Sequence, residues 1–246
     1  MFYWKKMVYL KNEVMKITRT LCLLFFLVLS TKSFVFAGES VEDNWQNNAK
    51  NYKHFGIIVS GPSGAGKTTI VEKLLKKHPE LAFSVSATTR MPRKGEKNGV
   101  SYYFLDRLKF EELVEKDEFI EYAENFGNYY GSPKRNYIEA VKNNKDVVFV
   151  LSVDGMENAV KNKKMDFVTI FINVSSDTKL MERLKLRATE SEEQMKKRLA
   201  SVKYEQSKMK KYDYIVDNDD IEYAVKNVEA IYLAEKFKRM DVKKKF

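Results

Sequence analysis

The stretch Ile57–Ile70, IIVSGPSGAGKTTI, leaves this chain few folds to choose from. An apolar run enters a glycine-rich turn, and a lysine–threonine pair then opens a segment with apolar residues at helical spacing. Gly61-Pro62-Ser63-Gly64-Ala65-Gly66-Lys67-Thr68 fits G-x-x-x-x-G-K-[ST] in full. The glycines let the backbone curl so that several N–H groups point inward, and a helix N-terminus adds partial positive charge. Lys67 is expected to reach the terminal phosphates and the Thr68 hydroxyl to hold Mg²⁺, with Thr69 beside them. The loop therefore predicts a nucleoside triphosphate site. It does not name the acceptor.

From His54 onward, strand and helix patterns alternate. Strands are expected at FGIIVS, Phe83–Ser86, Phe119–Ala123, around the turn FGNYYGS, and at Asp146–Leu151, Phe167–Asn173 and Tyr214–Val216. Helices are expected at Thr68–Lys77, with Ile70, Val71, Leu74 and Leu75 on one face, and at Leu108–Glu115 around Phe110, Leu113 and Val114. Further helices are predicted near 177–187, 191–210 and 221–239, the second opening on Ser191 and Gln194 at capping-box spacing. Such alternation argues for a parallel sheet covered on both faces. No internal repeat is visible.

The 246 residues suit one domain plus an appendage. Residues 1–37 have the look of a signal or anchor: Lys16 and Arg19 precede the apolar run Leu21–Leu29, and a small residue, Ala37, closes the stretch. A mis-assigned start, with translation from Met15, is the competing reading. Residues 38–53 read as a polar linker, and 241–246 as a basic tail. The single cysteine, Cys22, lies in the N-terminal stretch, so thiol catalysis and cysteine metal sites are excluded from the rest. A formal charge of +10 favours anionic partners, although most lysines suit a solvated surface.

A second segment bears on the acceptor. Ser86-Ala87-Thr88-Thr89-Arg90-Met91-Pro92-Arg93-Lys94-Gly95-Glu96 is followed by Asn98-Gly99, Tyr102, then EFIEYA with Glu121, and GNYYGS with Tyr130 and Ser132. Two guanidinium groups can share one monophosphate. These motifs, in order over about 55–236, resemble guanylate kinases. The resemblance implies a P-loop α/β fold: three α/β/α layers on a parallel sheet, a small mixed-β acceptor subdomain at about 87–134, and a helical lid at about 184–197, all within a domain spanning 54–240. It implies transfer of the γ-phosphoryl group of ATP to GMP or dGMP, with Mg²⁺. By the same resemblance Glu121, Ser86 and Ser132 read the base, Arg90, Arg93, Tyr102 and Tyr130 serve the acceptor phosphate, and Glu96 is among the GMP-binding residues. Guanine offers N1–H and N2–H₂ as adjacent donors, which one carboxylate can accept. Tyr103 and Tyr129 are expected to pack instead.

Arg183 and Arg187 stand four apart on one helix face, where like charges repel unless an anion lies between them. With Arg198 they match the family's lid arginines, and Asn218 matches its adenine-edge contact, an Asn-Asp turn being the alternative. The family's D-x-D-x-Q-G is broken here. The sequence here is Ser152-Val153-Asp154-Gly155-Met156-Glu157, keeping only the second acid, Asp154, which is expected on the acceptor side. Serine is a weaker partner for a hard cation, so lowered Mg²⁺ affinity or turnover is expected.

Two other readings stay open: a related small-molecule kinase, such as a ribose bisphosphate phosphokinase, and a catalytically weakened guanylate-kinase-like binding module. The Arg90–Glu96 loop speaks against the first and the intact phosphate loop against the second. Partners are expected to be small nucleotides rather than nucleic acid. Dependence on ATP points to the cytoplasm, and the signal-like N-terminus to an organelle or export.

Overall fold

The computed structural model describes residues 52–163, 165–185 and 192–240. Five parallel strands form the main sheet: β1 (Gly56–Ser60), β2 (Leu81–Phe83), β7 (Asp146–Val150), β8 (Phe167–Asn173) and β9 (Tyr214–Asp217), in the order β2-β7-β1-β8-β9. β1 is central, with Ile57 opposite Val148 on one side and Val168 on the other. Strands covered on both faces need apolar residues in both alternating sets. Accordingly Ile57, Val59 and Ile170 join one buried cluster, while Ile58, Val147, Phe149 and Phe171 join another.

The first face is covered by α1 (Lys67–Lys77), through Ile70 and Leu74, and by α7 (Ile221–Arg239), through Val225, Val228 and Tyr232. The second face takes Ala140 from α3 (Lys134–Lys142) and Met156 and Ala159 from α4 (Val153–Asn162). Crossovers of this kind leave the carboxyl ends of the strands free for ligands.

A second sheet, ordered β4-β3-β6-β5, comprises β3 (Ala87–Thr88), β4 (Tyr103–Phe104), β5 (Phe119–Asn125) and β6 (Asn128–Pro133). α2 (Arg107–Glu115) packs against it, with Asp106 capping the helix by accepting from Lys109 N. The core here is small. Phe110 stacks on Phe119 at 4.7 Å and on Tyr129 at 5.4 Å, and Tyr103 packs beside them.

Several boundaries differ from the sequence reading. β2 covers Leu81–Phe83, not Phe83–Ser86: Ser84 N still donates to Val148 O, but the chain then leaves to enter the second sheet at Ala87. The helices expected near 177–187 and 191–210 appear as α5 (Asp177–Lys185) and α6 (Glu192–Ser207), and Ser191 lies outside the described residues. Helices α3 and α4 were not anticipated. Tyr52 and Lys53, assigned to the linker, are tied to the folded part: Tyr52 Oη donates to Asp146 at 2.6 Å, and Lys53 pairs with Asp166 at 2.7 Å. The signal-like segment, the rest of the linker, the basic tail and Arg187 lie outside the described residues.

Candidate active site

At the carboxyl end of β1 the chain turns through Gly61-Pro62-Ser63-Gly64-Ala65-Gly66 into α1. Two glycines are required. Gly61 has φ +136°, and a Cβ there would meet Ile172 O at 2.1 Å; Gly66 has φ +89°, and its Cβ would meet Asn218 Nδ2 at 2.3 Å. No side chain caps α1 and no acid stands in its first turn, so the amides stay available to an anion. Lys67 Nζ rests on the loop, donating to Gly61 O at 2.5 Å and Pro62 O at 2.9 Å. Ala65 is buried beneath the turn, and its N donates to Pro62 O. Pro62, Ala65 and Thr69 thus lie off the cleft wall, whereas Gly61, Ser63, Gly64, Gly66, Lys67 and Thr68 line it.

The cleft, with about 210 Å³ of room, has the second sheet as its other wall. Ser86, Arg90, Arg93, Tyr102, Glu121 and Tyr130 face it from that side. The strand alternation that turns Tyr130 toward the cleft turns Tyr129 into the aromatic core. Arg90 is fixed from three directions. Its Nη2 donates to both oxygens of Glu96 at 2.9 and 3.0 Å, its Nη1 to Met91 O at 2.6 Å, and its guanidinium lies 5.4 Å from the Tyr102 ring centre. Glu96 also accepts from Arg93 N at 2.7 Å. Burial works against the Glu96 charge, but the bonds from Arg90 and Arg93 outweigh it and hold the carboxyl below its usual range. Glu96 lies off the cleft wall and organises the two arginines.

Glu121 lines the cleft and is 4% exposed. Burial pushes its carboxyl up to about 8, against the opposing pull of Ser132 hydrogen bonds. Ser132 Oγ donates to Glu121 Oε1 at 2.7 Å and is itself fully buried, so it holds Glu121 rather than lining the cleft. Burial also raises the Tyr102 hydroxyl, keeping it a neutral donor. Asn136 on α3 fixes the approach to Ser86 by donating to Val85 O at 2.8 Å.

Asn218 is 2% exposed, and its Nδ2 donates to Ala65 O at 2.7 Å, under the phosphate loop. Its Oδ1 is buried without a partner. Arg183 Nη2 donates to Asn218 O at 2.9 Å, so one residue joins the loop to α5. The Arg198 backbone lies in α6; its side chain, like Arg187, is outside the description, and the expected lid at 184–197 falls largely there.

Asp154 is not on the cleft wall: its Oδ1 accepts from Tyr204 Oη of α6 at 2.7 Å. Ser152 borders the cleft and caps α4, its Oγ accepting from Gly155 N at 3.1 Å. The cap survives the departure from the family pattern, since serine and aspartate are both good N-caps. Asn125, Phe126 and Glu205 also line the cleft and were missed in the sequence. Hairpin geometry could have flagged the first two; Glu205 looks like any charge on a long helix.

The family model described as guanylate kinase matches residues 53–235. A guanylate kinase of Carboxydothermus hydrogenoformans is 44% identical over 187 residues, covering 76% of this chain and 91% of the relative. One from Paramagnetospirillum magneticum is 43% identical over 183 residues, covering 74% and 86%. The crystal structure of guanylate kinase from Anaplasma phagocytophilum superposes with a TM-score of 0.62 at 33% identity, covering 78% of this chain and 92% of that one. Opposed anion sites and a buried carboxyl thus come with a match along nearly the whole described chain, and the protein belongs to the guanylate kinase family.

Proposed function

We propose that the chain transfers the γ-phosphoryl group of ATP to GMP or dGMP, giving ADP and GDP or dGDP. The observation that carries this is that the phosphate loop with Lys67, the Arg90–Arg93 pair and the buried Glu121 line one cleft. Loop amides and Lys67 hold the β- and γ-phosphates. Arg90, Arg93, Tyr102 and Tyr130 hold the acceptor phosphate, with Glu96 setting the Arg90 guanidinium and anchoring the Arg93 backbone. Ionised Glu121 accepts from guanine N1–H and N2–H₂, and Ser86 meets the base edge while Ser132 steadies the carboxylate. Adenine lacks that donor pair and would leave the buried group unpaired.

An acceptor phosphate oxygen then bonds to the γ-phosphorus as the bond to the ADP oxygen breaks. Such transfer rests on positioning and charge neutralisation. Arg183, Arg187 and Arg198 are the side chains proposed to close on the moving group, and Asn218 to support the adenine side from beneath the phosphate loop. Asp154 supports this arrangement from behind, through Tyr204.

Among the described residues no cluster of three His, Cys, Asp or Glu could hold a metal. The donors present fit Mg²⁺ of the kind that keeps its waters and rides on substrate phosphates, with Thr68 as the protein ligand. Bound there, it would neutralise phosphate charge. Among the described residues no helix is long and apolar enough to cross a membrane. We place the activity in the cytoplasm, where ATP is supplied.

The test is a coupled ADP assay with ATP and Mg²⁺, comparing GMP with AMP, UMP and ribose bisphosphate. ADP formation is expected with GMP at least tenfold above the others. No ADP on adding GMP would overturn the proposal, and preference for a sugar phosphate would favour the related kinase.

A further inference from the structure

Glu121 owes its direction to an irregularity in β5. Residues two apart on a regular strand share a face. Phe119 and Glu121 do not: Phe119 stacks on Phe110 in the aromatic core, and Glu121 lines the cleft. The register with β6 shifts between them, from Phe119 opposite Pro133 to Glu121 opposite Ser132, which leaves Ile120 as the extra residue. A bulge of this kind re-aims the side chain that follows it. Ile120 itself is buried in the second-face cluster of the main sheet, with Met156 and Ala159 of α4.

β5 is the last strand of its sheet, and β6 is its only strand partner among the described residues. Helix α4 supplies donors on the other side. Asn158 Nδ2 donates to Tyr122 O at 2.8 Å, and Asn162 Nδ2 to Ile120 O at 3.2 Å. The two carbonyls belong to the residues on either side of Glu121. The spacings match, since four residues of helix rise about 6 Å and two residues of strand about 6.6–6.8 Å. Three residues nearer the head of α4, Gly155 passes so close that a Cβ there would lie 2.9 Å from Glu121 Oε2. The apolar contact of Ile120 is non-directional and resists separation more than sliding, whereas two amide bonds fix the bulge along the helix.

We propose that Asn158 and Asn162 are positioning residues for base recognition: from α4 they clamp the bulged strand on both sides of Glu121 and hold its carboxyl at the guanine edge. This role rests on the reading of Glu121 as the base reader of an ATP:GMP phosphotransferase. Neither asparagine lines the cleft, so each acts through the strand it holds. Neither bond is fully buried, so water can replace a lost amide and the fold should survive the change.

The experiment compares kcat/KM for GMP with that for inosine monophosphate, which keeps N1–H and lacks the 2-amino group, and records KM for ATP alongside. Asn158→Ala and Asn162→Ala should each lower the preference for GMP about threefold, and the double variant about tenfold, through a higher KM for GMP with KM for ATP unchanged. Asn158→Gln keeps a donor and should fall between Asn158→Ala and wild type. Glu121→Gln is the reference and should remove most of the preference. The ratio is internal to each sample, so loss of folded protein does not change it, and the single variants carry the same comparison if the double variant does not fold. An unchanged preference in the alanine variants, with the preference lost in Glu121→Gln, would overturn the clamp and leave the asparagines as covers for a sheet edge. A preference that survives Glu121→Gln would overturn the reading of Glu121 on which the clamp rests, and wild-type protein that makes no GDP would overturn the phosphotransferase reading itself.

Discussion

The two walls of the cleft are built on different principles. The donor wall is a contiguous run of main chain, Gly61–Thr68, seated on the central strand of a five-stranded sheet. The acceptor wall gathers side chains from Ser86 just before β3, the loop holding Arg90 and Arg93, the segment before β4, and both strands of a hairpin. Beneath it is a core of three stacked aromatics. Amides and one lysine recognise charge and are indifferent to which nucleoside carries it. In the proposed reading, identity rests on a side chain that is buried and oriented, Glu121.

The contrast can be broken most forcefully from below. Phe110→Ala should destabilise the protein by about 3–5 kcal/mol through the cavity it leaves. If the walls are separable, calorimetry should show GMP binding lost while ATP binding persists below the melting temperature; equal loss of both would refute separability. Lys67→Ala should lower kcat by about 10²–10³-fold, by analogy with removal of one preorganised charge donor, and leave GMP affinity unchanged. Glu121→Gln should do the reverse, raising KM for GMP by roughly tenfold to a hundredfold with KM for ATP unaltered.

The same carboxyl gives a pH signature. With its value near 8, free Glu121 is protonated at neutral pH, yet guanine needs the carboxylate. GMP binding should therefore release a proton, and KM for GMP should fall about tenfold per unit as pH rises from 6.5 toward 8, then level off. The Glu121→Gln profile should be flat over that range; a parallel slope would assign the titration to another group. Smallest of all, Ser152→Asp should raise activity a few-fold at limiting Mg²⁺ and leave the melting temperature nearly unchanged, since both residues cap a helix. No gain at low Mg²⁺ would remove the idea that serine weakens metal use.

What the sequence disclosed follows the same division. The donor wall is local in sequence: strand, glycine turn, lysine and helix stand in one row, and the structure places Lys67 at the head of α1 as that row implies. The apolar runs at Asp146–Val150 and Phe167–Asn173 were equally plain, because strands buried on both faces need no polar alternation. Helix α4 escaped notice because SVDGMENAVKN was read as a departure from a motif, although Ser152 with Met156 and Ala159 forms a cap and a buried stripe. α3 was hidden behind Pro133, where the strand ends and the helix begins without a break. In the acceptor wall, residue types could be matched but not depth. Nothing in EFIEYA reveals that Glu121 is sealed in, or that Ser132 reaches it. The placement of Asp154 against Tyr204 depends on α6 crossing α4, which no local pattern encodes.

The cap at the head of α4 has an evolutionary corollary. Serine and aspartate can exchange at position 152 with little penalty to folding, because either oxygen satisfies Gly155 N. Selection on stability is blind to that exchange, so a formal charge beside the reaction centre can be gained or lost by drift. Should Ser152→Asp raise activity at limiting Mg²⁺, dependence on a divalent cation could be retuned in a single step, without a compensating mutation elsewhere.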